Sequence, residues 1–174
     1  YGDIADWDVS QVTNFSSLFQ GRSNFNEDIS RWDVSNVTNF FYAFNGASSF
    51  NADISNWDVS SATTMHMMFP GCNSFNADLS NWDVSNVTNM HRMFNGCNSF
   101  NSDLTNWDVS KVTDFFKFLG NANSFNGDMS GWQLNTNQGI NMIAMFENTS
   151  SFNQDISDWD VSSVSNMAYM FKGA

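Results

Sequence analysis

Regularly spaced aspartates are the residues of this chain best suited to chemistry. They form two columns that recur with a period of about 25 residues, which lies in the range of stacked repeats. The first, the Asp28 column, contains Asp3, Asp28, Asp53, Asp78, Asp103, Asp128 and Asp155. The second, the Asp33 column, contains Asp8, Asp33, Asp58, Asp83, Asp108 and Asp160, with Gln133 in the remaining position. Like charges stacked in this way repel one another, so each column requires a compensating partner.

Two kinds of partner satisfy a repeated carboxylate. The first kind is the backbone N–H groups of a turn. We favour this partner because an Asp that recurs at the same position of every repeat is most simply a turn residue. Ca²⁺ is the alternative, since it takes several oxygen ligands in loose geometry. The Asp33 column lies between Trp and Val positions and is expected to face solvent. It is therefore the better candidate for a cation, a basic protein or a glycan.

A second pair of positions has the residue types of a zinc site. His66 and His91 stand one period apart, as do Cys72 and Cys97. Zinc would require all four side chains within about 2.3 Å of one point, and their spacing is unlike that of zinc fingers. We therefore favour the cysteines as small core residues that replace Ala47 in its column. A Cys72–Cys97 disulfide is the remaining alternative, provided that the Cα atoms lie about 4.4–6.8 Å apart.

Enzymatic chemistry has little support in the sequence. There is no Ser-His-Asp set, no isolated acid pair and no glycine-rich phosphate loop. The acids of the two columns are repeated, so none is distinguished from the rest. We predict a protein that is not an enzyme and has no cofactor other than a candidate Ca²⁺.

The columns exist because the chain repeats one unit. Tryptophan marks this unit seven times, with equal steps until the last, which is longer by two residues. The Trp32 column contains Trp7, Trp32, Trp57, Trp82, Trp107, Trp132 and Trp159. Periods of 20 to 50 residues are typical of solenoids and propellers. The sequence therefore predicts one domain over residues 1–174, built from about seven repeats without recognisable capping repeats.

One unit, residues 25–49, predicts two elements. Trp32 and Val34 alternate with a polar residue, which indicates a short strand with one buried face. Val37, Phe40 and Phe44 follow helical spacing and predict a short helix. Such a unit cannot bury its apolar face alone, and stacking its copies would bury continuous columns. The predicted fold is an α/β solenoid, leucine-rich-repeat-like, with one short parallel strand and one short helix per turn. The two extra residues of the sixth repeat fall within residues 133–139.

A threonine column raises one further hypothesis. It contains Thr13, Thr38, Thr63, Thr88 and Thr113. Ice-binding faces are flat and are built on strands, whereas this column falls in the predicted helix. The ice-binding hypothesis is therefore disfavoured.

Composition indicates an extracellular protein. The formal net charge is −12, which argues against nucleic acid and anionic lipid as partners. No apolar stretch approaches the ~18 residues of a membrane span. The chain is rich in Ser, Thr and Asn and carries four Asn-X-Ser/Thr acceptors that would bear glycans in a eukaryotic secretory pathway. They are Asn14, Asn36, Asn86 and Asn148.

The unit Phe-Asn-x-Asp-Ile-Ser-x-Trp-Asp-Val-Ser-Asn-Val-Thr-Asn resembles a known repeat. Residues 25–39 carry it, and it recurs along the whole chain with Trp132-Gln133-Leu134-Asn135 as the least regular copy. It is similar to the repeat of BspA-like surface proteins and of bacterial lipoproteins with a 25- or 26-residue repeat. The resemblance implies a leucine-rich-repeat-like solenoid at the cell surface, with a role in adhesion to host or matrix protein or glycan. It implies no catalytic residues.

The repeat phase at residues 171–174 nearly meets the phase at residues 1–4. We therefore expect either that the chain is a slice of a longer protein or that copies of it join head to tail into a filament. The sequence thus predicts a structural, adhesin-like or filament-forming surface protein. The alternative is a binding module that uses its acidic face.

Overall fold

Seven coils stack on one another in the computed structural model, which describes residues 2–174. Each coil contains one residue of the Trp32 column. The regular elements are a single 3₁₀ turn, Ile4–Asp6, and two strands, β1 (Ile140–Asn141) and β2 (Val164–Asn166), which pair in parallel. Elsewhere within residues 2–174 the backbone forms tight turns, extended segments and isolated bridges.

A parallel ladder joins neighbouring coils. It runs through single bridges between one residue of each coil, and β1 and β2 continue it at the end of the stack. This bridge column contains Asn14, Asn39, Thr64, Asn89, Asp114 and Asn141. Parallel neighbours are therefore hydrogen-bonded along the solenoid axis, at the spacing of about 4.8 Å that such pairing imposes.

The predicted strand was placed in the wrong segment. Trp32 and Val34 are buried on either side of an exposed Asp33, as the alternation indicated, but they form no bridge. Their surroundings turn too tightly, because Trp32 N–H donates to the Ile29 carbonyl at 3.2 Å and Val37 N–H to the Val34 carbonyl at 2.8 Å. The bridge lies seven residues after the tryptophan, at Asn39.

The predicted helix is absent from residues 2–174. The N–H groups of Phe40, Phe44 and Gly46 donate to carbonyls of the following coil, at 3.2, 2.8 and 2.8 Å, and not to residues four positions back. Tyr42 has a φ of 57°, which interrupts any right-handed helix. The apolar spacing of this segment therefore reports burial in a stack of bridged coils.

Each coil bends at two left-handed corners. The first corner is formed by non-glycine residues and is called the corner column. It contains Ser17, Tyr42, Met67, Arg92, Lys117, Ala144 and Tyr169, all with φ between 50° and 59°. The second corner falls at glycine in five coils and at Asn121 and Asn148 in the others. Glycine and asparagine adopt this conformation most readily, which explains the residue choice at the second corner.

Aromatic columns fill the interior. Rings at Phe50, Phe75 and Phe100 stack along the axis with centroids 5.7 and 5.8 Å apart. Every indole from Trp32 onward donates to a main-chain carbonyl of the preceding coil, as Trp57 does to Ile29 at 3.0 Å. The polar end of the largest side chain is thus satisfied inside the core.

The threonine column lies on the bridged segment. Thr38 N–H donates to the Thr13 carbonyl at 2.9 Å, and the Thr38 hydroxyl donates to the same oxygen at 3.3 Å. The helical placement that disfavoured the ice-binding hypothesis was therefore wrong. The hydroxyls serve contacts between coils.

The long repeat keeps its place in the stack. Residues 136–139 are exposed, and the Asn135 carboxamide oxygen accepts from the N–H groups of Asn137 and Gln138 at 2.9 and 3.1 Å. Trp159 still donates to the Met129 carbonyl at 3.1 Å. The extra residues therefore bulge to the surface and leave the core columns aligned.

Within residues 2–174 the structure contains no helix that is long and apolar enough to cross a membrane.

Candidate functional sites on the coil surface

The two aspartate columns close turns. The Asp28 carboxylate accepts from Ser30 N–H at 2.9 Å. The Asp33 carboxylate accepts from Ser35 N–H at 3.1 Å and from the Ser35 hydroxyl at 2.6 Å. The same contact with the residue two positions on recurs in the other coils, and every Asp33-column side chain is exposed. Asp is thus a turn residue in both columns, on a face that remains open to solvent.

Hydrogen bonding outweighs the repulsion between neighbouring coils. The Ser35 hydroxyl and then the Ser35 N–H lower the pKa of Asp33, while the charge of Asp8 opposes them. Asp53 has a lowered pKa for the same reason, from Ser55, against the charges of Asp28 and Asp78. Asp33 and Asp53 therefore remain ionised at neutral pH, and the two columns place aspartates at regular intervals along the surface.

No convergent metal-ligand set is formed by the described residues. Within residues 2–174, no group of three or more His, Cys, Asp or Glu side chains is arranged to hold a metal ion. The zinc set in particular is split, because His66 and His91 are half-buried at the surface whereas Cys72 and Cys97 are fully buried in the core.

The two cysteines are free thiols in the structure. Cys72 donates to the Phe44 carbonyl at 3.0 Å and Cys97 to the Phe69 carbonyl at 3.1 Å. Burial raises the pKa of Cys72 to about 12 and also raises that of Cys97. The disulfide alternative is therefore not what the structure contains. Each thiol binds a carbonyl of the preceding coil and packs as a small core side chain.

The four glycosylation acceptors lie on the surface. Asn14, Asn36, Asn86 and Asn148 are all exposed. The Asn36 amide donates to the Ser10 carbonyl at 2.9 Å and the Asn86 amide to the Ser60 carbonyl at 3.0 Å. A glycan on either nitrogen would therefore compete with a contact between coils.

A surface column of rings was missed by the sequence interpretation. This ring column contains Phe41, His66, His91 and Phe116 in four successive coils. The His66 and His91 rings stack with centroids 4.5 Å apart, and the His91 and Phe116 rings with centroids 4.8 Å apart. Phe41 packs edge-on against His66 at 5.0 Å. The imidazoles are half-buried, and their faces are covered by neighbouring rings.

Cationic side chains of the adjacent corner column flank these rings. The Arg92 guanidinium lies over the Phe116 ring, 5.2 Å from its centroid. Lys117 pairs with Glu147 at 2.7 Å, and His91 lies 3.2 Å from the Asp114 carboxylate. Three of the six Lys and Arg residues belong to this corner or to the Glu147 pair: Arg92, Lys117 and Lys172.

Electrostatics distinguish the ring column from the rest of the surface. Burial lowers the pKa of His66, and the nearby charges of His91 and Arg92 lower it further, while Asp114 acts in the opposite direction. Arg92 places a positive charge beside these rings, on a chain whose net charge is −12. It is therefore a candidate for contact with a negatively charged ligand.

The signal for the ring column was present in the sequence. Phe41, His66, His91 and Phe116 each stand nine residues after a tryptophan. The interpretation paired the histidines with the cysteines because the members of both pairs stand one period apart. The assumed helix also concealed that these side chains project from neighbouring bridged coils and line one surface.

Both outer coils expose apolar side chains. A surface cavity of about 860 Å³ beside the first coil is lined by Ile4, Trp7, Leu18, Phe19 and Phe25, among others. In the seventh coil Val161, Met167, Tyr169 and Phe171 are exposed. These surfaces have the apolar character of the contacts between coils elsewhere in the stack.

The stacked coils and their satisfied polar columns define a repeat solenoid. The chain belongs to the family described as Mycoplasma protein of unknown function, DUF285, whose model matches residues 1–85, 53–139 and 104–174. The three overlapping matches span the chain and agree with its internal repetition. No curated protein and no solved structure matches it significantly.

Proposed function

We propose that this chain is a non-catalytic structural module of an extracellular or cell-surface protein, which displays a regular acidic face for adhesion. The proposal is supported above all by the use of the recurring polar groups. The Asp28 and Asp33 columns close turns, and the indoles bind carbonyls of the preceding coil. These groups build a regular stack and leave two lines of carboxylates on its surface.

An asparagine ladder supports the structural role. The carboxamide oxygen of Asn51 accepts from Asn76 N–H at 2.7 Å, and Asn76 accepts from Asn101 N–H at 2.8 Å. The same bond recurs between other neighbouring coils. Such ladders fix the spacing of the coils, so a surface group repeated in every coil is presented at a constant interval.

The surface location rests on composition and on the BspA-like resemblance. Membership in the DUF285 family supports a repeat protein. A net charge of −12 suits a solvent-facing module that meets a basic protein, a glycan or a cation.

The location is tested on intact cells that produce the protein. An antibody against the folded solenoid should label them, and external protease should remove the signal. Labelling that appears only after permeabilisation would contradict an extracellular role. Binding of the purified chain to immobilised matrix proteins and glycans then tests adhesion.

The proposal also includes end-to-end contact between copies of the chain. Trp7 and Leu18 in the first coil, and Met167 and Phe171 in the seventh, are exposed apolar side chains that one further coil would cover. A second copy of the chain would supply such a coil. Analytical ultracentrifugation should show concentration-dependent association of the chain, weakened by Trp7→Glu or Phe171→Glu. A monomer at all concentrations would contradict contact between copies.

A ligand-binding role for the Asp33 column is the second candidate. The turn contacts of Asp33, Asp58 and Asp83 all use Oδ1, so the second oxygen of each exposed carboxylate is not needed for the turn. Ca²⁺ or a basic peptide is the chemistry that fits such a line.

Charge-removing variants separate this candidate from the structural proposal. Asn keeps an acceptor for the turn, so Asp58→Asn, Asp83→Asn and Asp108→Asn combined should remain folded. The probes are Ca²⁺ and polylysine in calorimetric titrations. The matched control combines Asp53→Asn, Asp78→Asn and Asp103→Asn in the Asp28 column. Binding lost in the first variant and kept in the second supports the Asp33 column, and equal loss argues against it.

A further inference from the structure

Arg92 is a cation without a protein counterion. Its side chain enters none of the ion pairs formed within residues 2–174. Its Nε is buried and has no hydrogen-bond partner among the described residues. The guanidinium is held in place by the Phe116 ring beneath it, 5.2 Å from the ring centroid.

Two more nitrogen donors lie beside Arg92. The His66 and His91 rings are stacked 4.5 Å apart, and both side chains are half-buried at the surface. Asp114 is close to His91 at 3.2 Å, and Lys117 is occupied by Glu147 at 2.7 Å. The charged and titratable groups around the stack are thus His66, His91, Arg92 and Asp114. Glu147 adjoins them and pairs with both Lys117 and Lys172. Arg92 is the cation of this group that enters no ion pair within residues 2–174.

We infer that Arg92, His66 and His91 form a binding site for an oxyanion, a sulfate or carboxylate group carried by an acidic polysaccharide. Guanidinium and imidazole N–H groups form strong charge-assisted hydrogen bonds with such oxygens. The site lies on a different column from the acidic face. A test of this site is therefore independent of a test of the adhesion proposed for the acidic face.

A polysaccharide fits this surface better than an acidic peptide. Extended peptides commonly bind by adding a strand to an open sheet edge. The main-chain groups here are already used, because Met65 N–H donates to the Asn89 carbonyl and Met90 N–H to the Asp114 carbonyl, at 3.1 and 3.0 Å. Recognition must then come from side chains. The neighbouring bridge column supplies amide and hydroxyl groups, including Thr64 and Asn89, that suit sugar hydroxyls.

The chain provides a variant that removes the charge and retains the corner. Met67 occupies the corner position of the preceding coil with a φ of 52°, and Arg92 has the same φ of 52°. Arg92→Met therefore copies a residue that this backbone already accommodates. Arg31→Asn is the matched control, since it removes one positive charge elsewhere and copies Asn56 in the next repeat.

The experiment is a calorimetric titration of the whole chain with a heparin tetrasaccharide at low salt. We expect binding that Arg92→Met weakens about tenfold or more, the loss of roughly one charge-assisted contact. Arg31→Asn should change the affinity by less than about twofold. Thermal unfolding of both variants establishes that they are folded. Equal weakening by the two variants, or no binding by the parent chain, would overturn the site.

Two further arms identify the source of the oxyanion. Sodium sulfate should compete with the tetrasaccharide for the parent chain. Binding of sulfate without binding of the tetrasaccharide would overturn the polysaccharide assignment, and so would tighter binding of polyglutamate. A third arm replaces both imidazoles by His66→Phe and His91→Phe, copying Phe41 and Phe116. Affinity should rise on acidification to about pH 5 in the parent and not in this variant, because protonated imidazole adds positive charge. If this variant showed the same pH dependence as the parent chain, the histidines would not belong to the binding site.

Discussion

The indole nitrogen of Trp82 donates a hydrogen bond to the main-chain carbonyl of Ile54, 28 residues earlier, at 3.0 Å. Both side chains are buried, with Trp82 3% exposed and Ile54 fully enclosed. The bond therefore ties the interior of one coil to the backbone of the coil before it. Each unit is stabilised by its neighbours far more than by its own contacts, as expected of a solenoid.

Trp82→Ala should destabilise the chain by about 3–5 kcal/mol, the range for a large aromatic side chain removed from a core. Trp82→Phe should cost less, roughly 1–3 kcal/mol, chiefly because the Ile54 carbonyl loses its partner. Urea unfolding followed by circular dichroism measures both. Trp7→Ala is the control, since Trp7 is 50% exposed and should cost well under half as much. Similar losses of stability in Trp82→Ala and Trp7→Ala would contradict the difference in burial between these two side chains.

The second corner of each coil predicts a contrast between two substitutions of one glycine. Gly96 has a φ of 77°, whereas the equivalent residue of the next coil is Asn121 with a φ of 60°. Gly96→Asn should therefore change stability by less than about 1 kcal/mol, because Asn tolerates this region. Gly96→Val should cost at least about 1–2 kcal/mol, since a β-branched side chain is strained there. Thermal melts of the two variants decide the matter, and equal melting temperatures would refute a left-handed corner at this position.

Because both thiols are buried, they should react slowly with thiol reagents. Burial raises the pKa of Cys72 to about 12, and the thiolate is the reactive species. A thiol reagent such as DTNB should therefore label neither cysteine of the folded chain at neutral pH, and both after addition of denaturant. Cys97→Ala, which copies Ala122, should fold and halve the labelling in denaturant. Rapid labelling of the native chain, or a mass that shows a disulfide, would contradict the free buried thiols.

Acid should weaken the fold through the aspartate turns. Nine of these carboxylates have lowered pKa values, with hydrogen bonds to the residue two positions on as the leading cause: Asp8, Asp28, Asp33, Asp53, Asp78, Asp83, Asp128, Asp155 and Asp160. The unfolded chain then binds protons more readily than the folded chain. The stabilisation is complete above the unfolded value, near pH 4, and is lost as the pH falls through the folded values.

A smaller loss should begin at higher pH. The pKa of His66 is lowered from 6.5 in the folded chain, so protonation favours the unfolded state as the pH falls below that value. Melting temperatures between pH 7 and 3 should therefore decline gently at first and steeply below about pH 4. His66→Phe should remove the first phase alone. A stability that rises on acidification would show that repulsion between the carboxylates outweighs their hydrogen bonds.

The sequence predicted the solenoid and most of its core because both follow from one period. A Trp or Phe that recurs once in every repeat can be buried each time only if the copies stack, and Trp107 and Phe100 are indeed enclosed. The small-residue role of Cys72 followed from the same comparison with Ala47. Position in the repeat was thus a good guide to burial in the inner coils, whereas Trp7 and Phe171 occupy core positions in the outer coils and are exposed.

Local backbone geometry was not predictable in the same way. The first corner is occupied by residues as different as Tyr42, Met67 and Arg92, none of which signals a positive φ. Without that corner, the spacing of Phe40 and Phe44 fits a helix equally well. The partners of the N–H groups in this segment lie one coil away, so the backbone is fixed by contacts that no local pattern reveals.

The looped-out residues of the sixth coil have a consequence for inheritance. The Trp159 indole donates its hydrogen bond to a carbonyl 30 residues earlier, whereas the separation in the regular coils is 28 residues. The bond is nevertheless 3.1 Å long, close to the 3.0 Å of Trp82. Small insertions at this surface bend therefore leave the packing of the core unchanged. Recombination between repeats could then lengthen or shorten such a gene by whole units, each new coil finding the same neighbours as the last.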